Sequence, residues 1–181
     1  KTERNILLAH QFLTGATPSE SEEFSVGGIE NIDAQMFEDF DYVALGHIHR
    51  AQQVGKEYIR YAGTPLKYSF SEVNHKKSVT IVEIKEKGTV LAELVTLKPL
   101  RDMRDLKGTY MELTARENYQ DTDTNDYVHI TLTDEEDIID VIAKLRIIYP
   151  NLMKLDYDNT RTRSRQNICM EEQIERKSPM E

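Results

Sequence analysis

The sequence predicts a mixed α+β protein arranged as two consecutive units, and three observations lead there. Short apolar strands recur along the first part of the chain, Asn5-Ile6-Leu7-Leu8-Ala9 and Tyr42-Val43-Ala44-Leu45 being the clearest. The texture changes at Pro99. Beyond it, apolar residues at helical spacing lie between strand-like segments, as expected of a small unit with its own core. The 181 residues suffice for one medium domain or two small ones. The reading divides the chain into residues 1–98, 99–160 and a polar tail over 161–181, with no internal repeat and no low-complexity tract.

In chain order, a short buried strand over residues 4–9 runs into His10-Gln11-Phe12. Residues 13–30, rich in Gly, Ser, Thr and Glu, read as a long polar loop. Ile32, Met36, Phe37 and Phe40 have helical spacing, with Asn31 or Asp33 as N-cap. Strands follow over 42–45 and 58–62, the second ending at Gly63-Thr64-Pro65. Residues 78–84 and 89–97 alternate around the turn Glu86-Lys87-Gly88 and predict a hairpin. In the second unit, Thr109–Thr114 and Tyr127–Leu132 read as strands. Thr133-Asp134-Glu135-Glu136 has the form of a capping box, opening a helix that buries Ile138, Val141, Ile142, Leu145 and Ile148. Pro150 stops it, and Leu152–Tyr157 returns as a strand, so the unit reads β-β-α-β.

Composition sets limits. A net charge of −9, from 23 Lys and Arg against 32 Asp and Glu, argues against a protein that binds nucleic acid by coating its phosphates with cations. It leaves room for an enzyme that meets nucleic acid through a metal and a local basic patch. No apolar run approaches the roughly 20 residues that cross a bilayer, so no membrane partner is expected. Cys169 is the single cysteine, which rules out an intramolecular disulfide or a cysteine-based zinc cage; a reducing cytoplasm is the expected location. The chain opens on Lys1 with neither an initiating Met nor a signal peptide, as expected of a piece of something longer.

The candidate chemistry lies in Val43-Ala44-Leu45-Gly46-His47-Ile48-His49-Arg50, a buried strand that ends in two imidazoles. Past a glycine both rings can turn toward one spot, and neutral imidazoles at that spacing are common ligands for divalent transition metals. His10 also follows an apolar strand, and sites in α/β sheets gather beyond the carboxyl ends of strands. His10, His47 and His49 are therefore the candidate metal ligands. His75 lies in a turn with Lys76 and Lys77, and His129 shares the polar face of its strand with Tyr127 and Thr131; both read as structural, His129 as exposed. No carboxylate nearby is placed to bridge two ions, since Asp41 faces the opposite end of its strand.

Gly46-His47-Ile48-His49 resembles the last metal motif, GHxH, of the calcineurin-like metallophosphoesterases. Further segments narrow the match: Leu8-Ala9-His10-Gln11, Tyr61-Ala62-Gly63-Thr64-Pro65-Leu66, Ser69-Phe70-Ser71-Glu72, Pro99-Leu100-Arg101-Asp102-Met103-Arg104, Tyr149-Pro150-Asn151-Leu152 and Lys177-Ser178-Pro179-Met180-Glu181. Together they are similar to the SbcD family, nuclease subunits of bacterial SbcCD complexes. The resemblance implies the second half of a calcineurin-like β-sandwich over 1–98, a DNA-facing capping domain over 99–160, and a tail leading toward the region that binds the SbcC ATPase. It implies two-manganese hydrolysis of DNA phosphodiesters at double-stranded ends and hairpins in repair, recombination and replication, by a homodimer. His10 and His47 would hold the second ion and His49 the first. The family's DxH, GDxxD and GNHD motifs are not in this chain and are expected upstream of Lys1. No catalytic base is assigned here, and the chain alone is expected to be inactive.

Two other readings compete: another metallophosphoesterase acting on a non-DNA phosphoester, and a non-catalytic interaction or dimerisation module. Residues that touch DNA are not identified; Arg161-Thr162-Arg163-Ser164-Arg165 is either a phosphate contact or a solvated linker. Gly63-Thr64-Pro65 could be simply a turn, and Tyr68 and Phe70 are expected to fill core space.

Overall fold

The structure, a computed structural model, describes residues 3–20, 22 and 32–164. The tail beyond 164, most of the loop over 21–31 and the alternative cap Asn31 lie outside the described residues. Its contacts divide the chain into Lys1–Leu100 and Arg101–Glu181.

In the first unit, β1 (Ile6–His10) and β2 (Tyr42–Gly46) pair in parallel, so that His10 sits directly opposite Gly46. β3 (Gln52–Val54), which shows no clear strand pattern in the sequence, lies antiparallel to β4 (Lys56–Tyr61), and the sheet order is β1-β2-β4-β3. Apolar Val43, Leu45, Ile59 and Tyr61 are buried around Leu13, Ile48 and Val54. The Tyr61 hydroxyl accepts from the Leu13 amide at 2.9 Å and donates to the Gln11 carbonyl at 2.7 Å, tying the chain after β1 to the core. The predicted helix before β2 is a single 3₁₀ turn, Ala34–Phe37, with Asp33 capping the Gln35 amide. Met36 is exposed, so only Phe37 of that turn reaches the core. β5 (Ser78–Ile84) and β6 (Val90–Thr96) form the predicted hairpin, closed by the Thr89 amide to the Glu86 carbonyl at 2.9 Å.

The second unit departs from the expected β-β-α-β order. Its sheet is β7 (Met103–Gly108), β8 (Tyr127–Leu132) and β9 (Leu152–Tyr157), all parallel with β8 central. Between β7 and β8 the segment read as a strand is instead α1 (Tyr110–Thr114), followed by α2 (Arg116–Tyr119), giving β-α-α-β-α-β. The reason is local: the Thr109 side chain accepts from the Glu112 amide while the Glu112 carboxylate accepts from the Thr109 amide, a reciprocal capping box. That arrangement outweighs the strand preference of Thr and Tyr.

The other box in the sequence, Thr133-Asp134-Glu135-Glu136, does not cap a helix; α3 is Val141–Arg146, starting later than expected. Its acids serve elsewhere. Asp134 accepts from the Tyr110 amide at 2.8 Å, Glu135 accepts from the Thr160 amide and hydroxyl, and Asp137 takes the Arg161 guanidinium through two contacts of 2.6 and 3.0 Å. Val128, Ile130 and Leu132 are completely buried against Val141, Leu145 and Tyr149, whereas Ile142 stays half exposed.

Candidate metal centre

The carboxyl ends of parallel β1 and β2 bring His10 and His47 together, their ring centroids 5.3 Å apart and nearly perpendicular. Gly46 makes this possible: a β-carbon there would lie 2.8 Å from His10 Nδ1, so any larger residue would push the ring away. Beyond Gly46 the chain turns sharply, and His47 takes a φ of 101°, where a non-glycine residue is strained. Ile48 between the histidines is buried in the core and anchors the turn, leaving both rings on the side away from it.

His49 goes to a different neighbour. Its Nδ1 lies 3.0 Å from the carboxylate of Glu72, a side chain with no exposed surface. Glu72 also takes the Lys77 ammonium at 2.6 Å, and Lys77 in turn donates to the His49 carbonyl at 3.0 Å and the Thr64 hydroxyl at 2.8 Å. A carboxylate can only accept, so Nδ1 carries the proton and Nε2 is the nitrogen with the lone pair. Metal-bound histidines are oriented in this way. Glu72 closes the Ser69-Phe70-Ser71-Glu72 segment, yet no local pattern marks its role, because the contact spans the fold.

The turn is braced from both sides. Thr64 donates its amide to the His49 carbonyl at 3.1 Å, which Gly63 permits. At φ 77°, a β-carbon on Gly63 would lie 2.7 Å from the Ala51 nitrogen and 2.9 Å from the His49 oxygen. The Gly-Thr-Pro segment is therefore more than a turn: it is the floor of the His49 loop. Opposite it, the Glu22 carboxylate accepts the backbone N–H groups of Ser19 and His49.

The remaining candidates are placed as follows. Asp41 is buried at the amino end of β2, where the Asn5 amide, the Lys87 ammonium and the Gly88 amide hold its carboxyl below the ordinary range. Tyr68 does not fill core space; it is 62% exposed, with its ring 5.8 Å from that of His49. His129 lies on the expected face but is only 16% exposed, its two nitrogens facing Asp105 at 3.1 Å and Asp156 at 2.9 Å. Arg161 is paired with Asp137 and Arg163 with Asp158, so neither is a solvated linker residue nor a free phosphate contact. Arg165 lies outside the described residues.

As a donor set, the imidazoles divide two and one, and among the described residues no group of three or more His, Cys, Asp or Glu side chains is spaced to hold a metal ion. Imidazoles suit divalent transition ions in general, while manganese favours added oxygen ligands, so these residues fit part of such a site. No described helix is long and apolar enough to cross a membrane.

Imidazoles at the carboxyl ends of parallel strands, one oriented by a buried carboxylate, define a candidate metal centre carried on a mixed α+β chain. Residues 99–181 match the family SbcD_C, described as the type 5 capsule protein repressor C-terminal domain. The chain is 37% identical over 152 residues to a protein of Staphylococcus epidermidis named as the SbcD component of the nuclease SbcCD, covering 83% of this chain and 40% of the relative. A Staphylococcus saprophyticus protein of the same name is 35% identical with the same coverage. The chain belongs to the SbcD family. It spans 40% of the length of these relatives.

Proposed function

We propose that this chain is part of a metal-dependent DNA nuclease subunit that works with an ATPase of the SbcC type. Its first unit is the second half of a calcineurin-like β-sandwich and its second a capping domain. The observation that carries this reading is the division of the imidazoles: His10 and His47 face each other, and His49 is held apart by Glu72. That arrangement suits two neighbouring ions, with His10 and His47 serving one and His49 the other. Two manganese ions there would activate a water and offset the charge that builds on the phosphate.

The chain's own residues bind and orient. Glu72 fixes the tautomer of His49, Ile48 and the Gly63-Thr64 floor fix the loop, and Gly46 gives room to His10. The exposed Tyr68 ring beside His49 offers a face on which an unpaired base can stack. Exposed Leu8 and Ile6 on edge strand β1, and Val79 and Ile81 on β5, are apolar side chains that further strands of a sandwich would cover. The bridging carboxylate and the remaining ligands come from the DxH, GDxxD and GNHD motifs, so the chain by itself is catalytically silent.

The test compares this chain with a longer one carrying those motifs. Manganese-dependent cleavage of double-stranded ends and hairpins is expected from the longer chain only. Cleavage by this chain alone, or none by the longer chain when combined with its ATPase partner, would refute the assignment.

A further inference from the structure

We propose that a cavity of about 360 Å³ behind the His49 loop is a phosphate-binding subsite that receives a backbone phosphate of a nucleic-acid strand. The identity of the strand rests on the nuclease reading, while the anion site itself stands on the cavity.

Its wall includes Arg50, His75, Lys76 and Lys77, with the hydroxyls of Thr64 and Ser78, and contains no carboxylate. In a chain of net charge −9, a cavity lined only by neutral and cationic groups is a local reversal of the overall charge. The cations differ in availability. Lys77 is committed, its ammonium shared among Glu72, the His49 carbonyl and Thr64. The side chains of Arg50 and Lys76 are exposed and, among the described residues, make no hydrogen bond or ion pair. His75 adds a buried Nδ1 that has no hydrogen-bond partner. Such an atom is costly to leave unsatisfied. An oxyanion would supply the missing acceptor to His75 and a partner to both free cations at once.

A phosphate fits this set better than a carboxylate. Its several oxygens can meet guanidinium, ammonium, ring N–H and hydroxyl together, and Arg50 can engage two of them in parallel. Position supplies the source. Arg50 follows His49 directly in sequence, and the His49 carbonyl is held by Lys77 and Thr64 from the cavity side. A strand with one phosphate at the histidines would therefore lay a neighbouring phosphate in the cavity, so the site positions the strand.

Nuclear magnetic resonance titrations of this chain test the assignment, with inorganic phosphate and with a short single-stranded oligonucleotide as probes. Saturable shifts are expected at the His75 ring and at the amides of Arg50 and residues 74–78. Arg50→Gln with Lys76→Gln should weaken the oligonucleotide at least tenfold and flatten its salt dependence, whereas Arg50→Lys retains part of the binding. Both side chains are exposed, and an unchanged circular dichroism spectrum verifies that the variants fold. Shifts that stay absent, or that are unaltered by the double substitution, would overturn the subsite. Phosphate binding as tightly as the oligonucleotide would overturn the strand as its source. Manganese added to the same samples reports separately, through broadening of the His10, His47 and His49 rings. Broadening without a phosphate response sinks the subsite and spares the nuclease reading; a phosphate response without broadening does the reverse.

Discussion

Nδ1 of His49 donates to the Glu72 carboxylate at 3.0 Å, and that carboxylate is completely buried. A buried carboxylate is stable only when its charge is matched, and Lys77 at 2.6 Å matches it. The three groups form one unit: the lysine neutralises the acid, the acid orients the ring, and the lysine returns to hold the carbonyl of the same histidine. The ring's orientation is thus built into the folded core of the first unit.

Removing the acid should separate two effects. Glu72→Ala leaves the buried Lys77 ammonium without its counter-charge and should cost about 3–5 kcal/mol in urea denaturation. Glu72→Gln keeps the volume and part of the hydrogen bonding, so the fold should survive with a smaller loss. In a chain carrying the complete ligand set, that variant should bind manganese about 10–100-fold more weakly by calorimetry. Unchanged affinity would show that Glu72 supports the fold alone.

Two glycines make a contrasting pair. Alanine at Gly46 meets the side chain of His10, which can rotate away, so Gly46→Ala should cost only about 1–3 kcal/mol. Its signature is a displaced His10 ring, visible as altered imidazole resonances and weakened metal binding. Alanine at Gly63 meets backbone atoms of His49 and Ala51, and the φ of 77° adds strain. Gly63→Ala should therefore be the more destabilising of the two by thermal unfolding. The opposite ranking would mean that the loop is softer than its contacts imply.

Much of this is legible in the residues. The strands ending in His10 and Gly46 announce themselves by apolar runs, and the hairpin over 78–96 by alternation. The site beyond them is half legible. His47 and His49 are visible as a pair two residues apart, but that spacing does not say that their rings take different neighbours. Glu72 reaches His49 from a separate segment, and such a contact leaves no periodic trace. In the second unit, two Thr-x-x-Glu boxes compete, and local sequence cannot rank them. Thr109 keeps its reciprocal bonds, while the acids after Thr133 are drawn to the amides and arginine of other segments. β7 escapes a sequence reading because charged residues interrupt Met103–Gly108 and hide its pairing with β8.

Tyr61 offers a test of the core that is independent of metal. Its hydroxyl satisfies the Leu13 amide and the Gln11 carbonyl, both close to the end of β1. Tyr61→Phe leaves those groups unpaired in a dry environment and should cost about 1–3 kcal/mol in chemical denaturation. Protection of the Leu13 amide from hydrogen exchange should fall with it. A variant as stable as the parent, with that amide still protected, would indicate that water replaces the hydroxyl.

Stability should fall toward acid in two stages, each with its own cause. Burial, reinforced by the Lys77 ammonium, holds the His75 ring below the ordinary histidine value of 6.5. The unfolded chain then takes up a proton near pH 6.5 that the native ring resists, so the stability tied to the neutral ring is present above that pH and declines below it. The carboxylates act lower down. The Asn5 amide and Lys87 hold Asp41 below its ordinary 3.8, Lys154 and His129 do so for Asp156, and Arg163 and Lys107 for Asp158. In each case the native state binds fewer protons than the unfolded chain at low pH. Their contribution is complete above about pH 4 and is lost as the pH falls through the lowered native values. Urea midpoints measured from about pH 8 to pH 3 should show a shallow decline through roughly 6.5 and a steep one below about 4. His75→Gln should remove the first decline, and Asp41→Asn should weaken the second. A profile in which His75→Gln leaves the upper step intact would assign that step to another group.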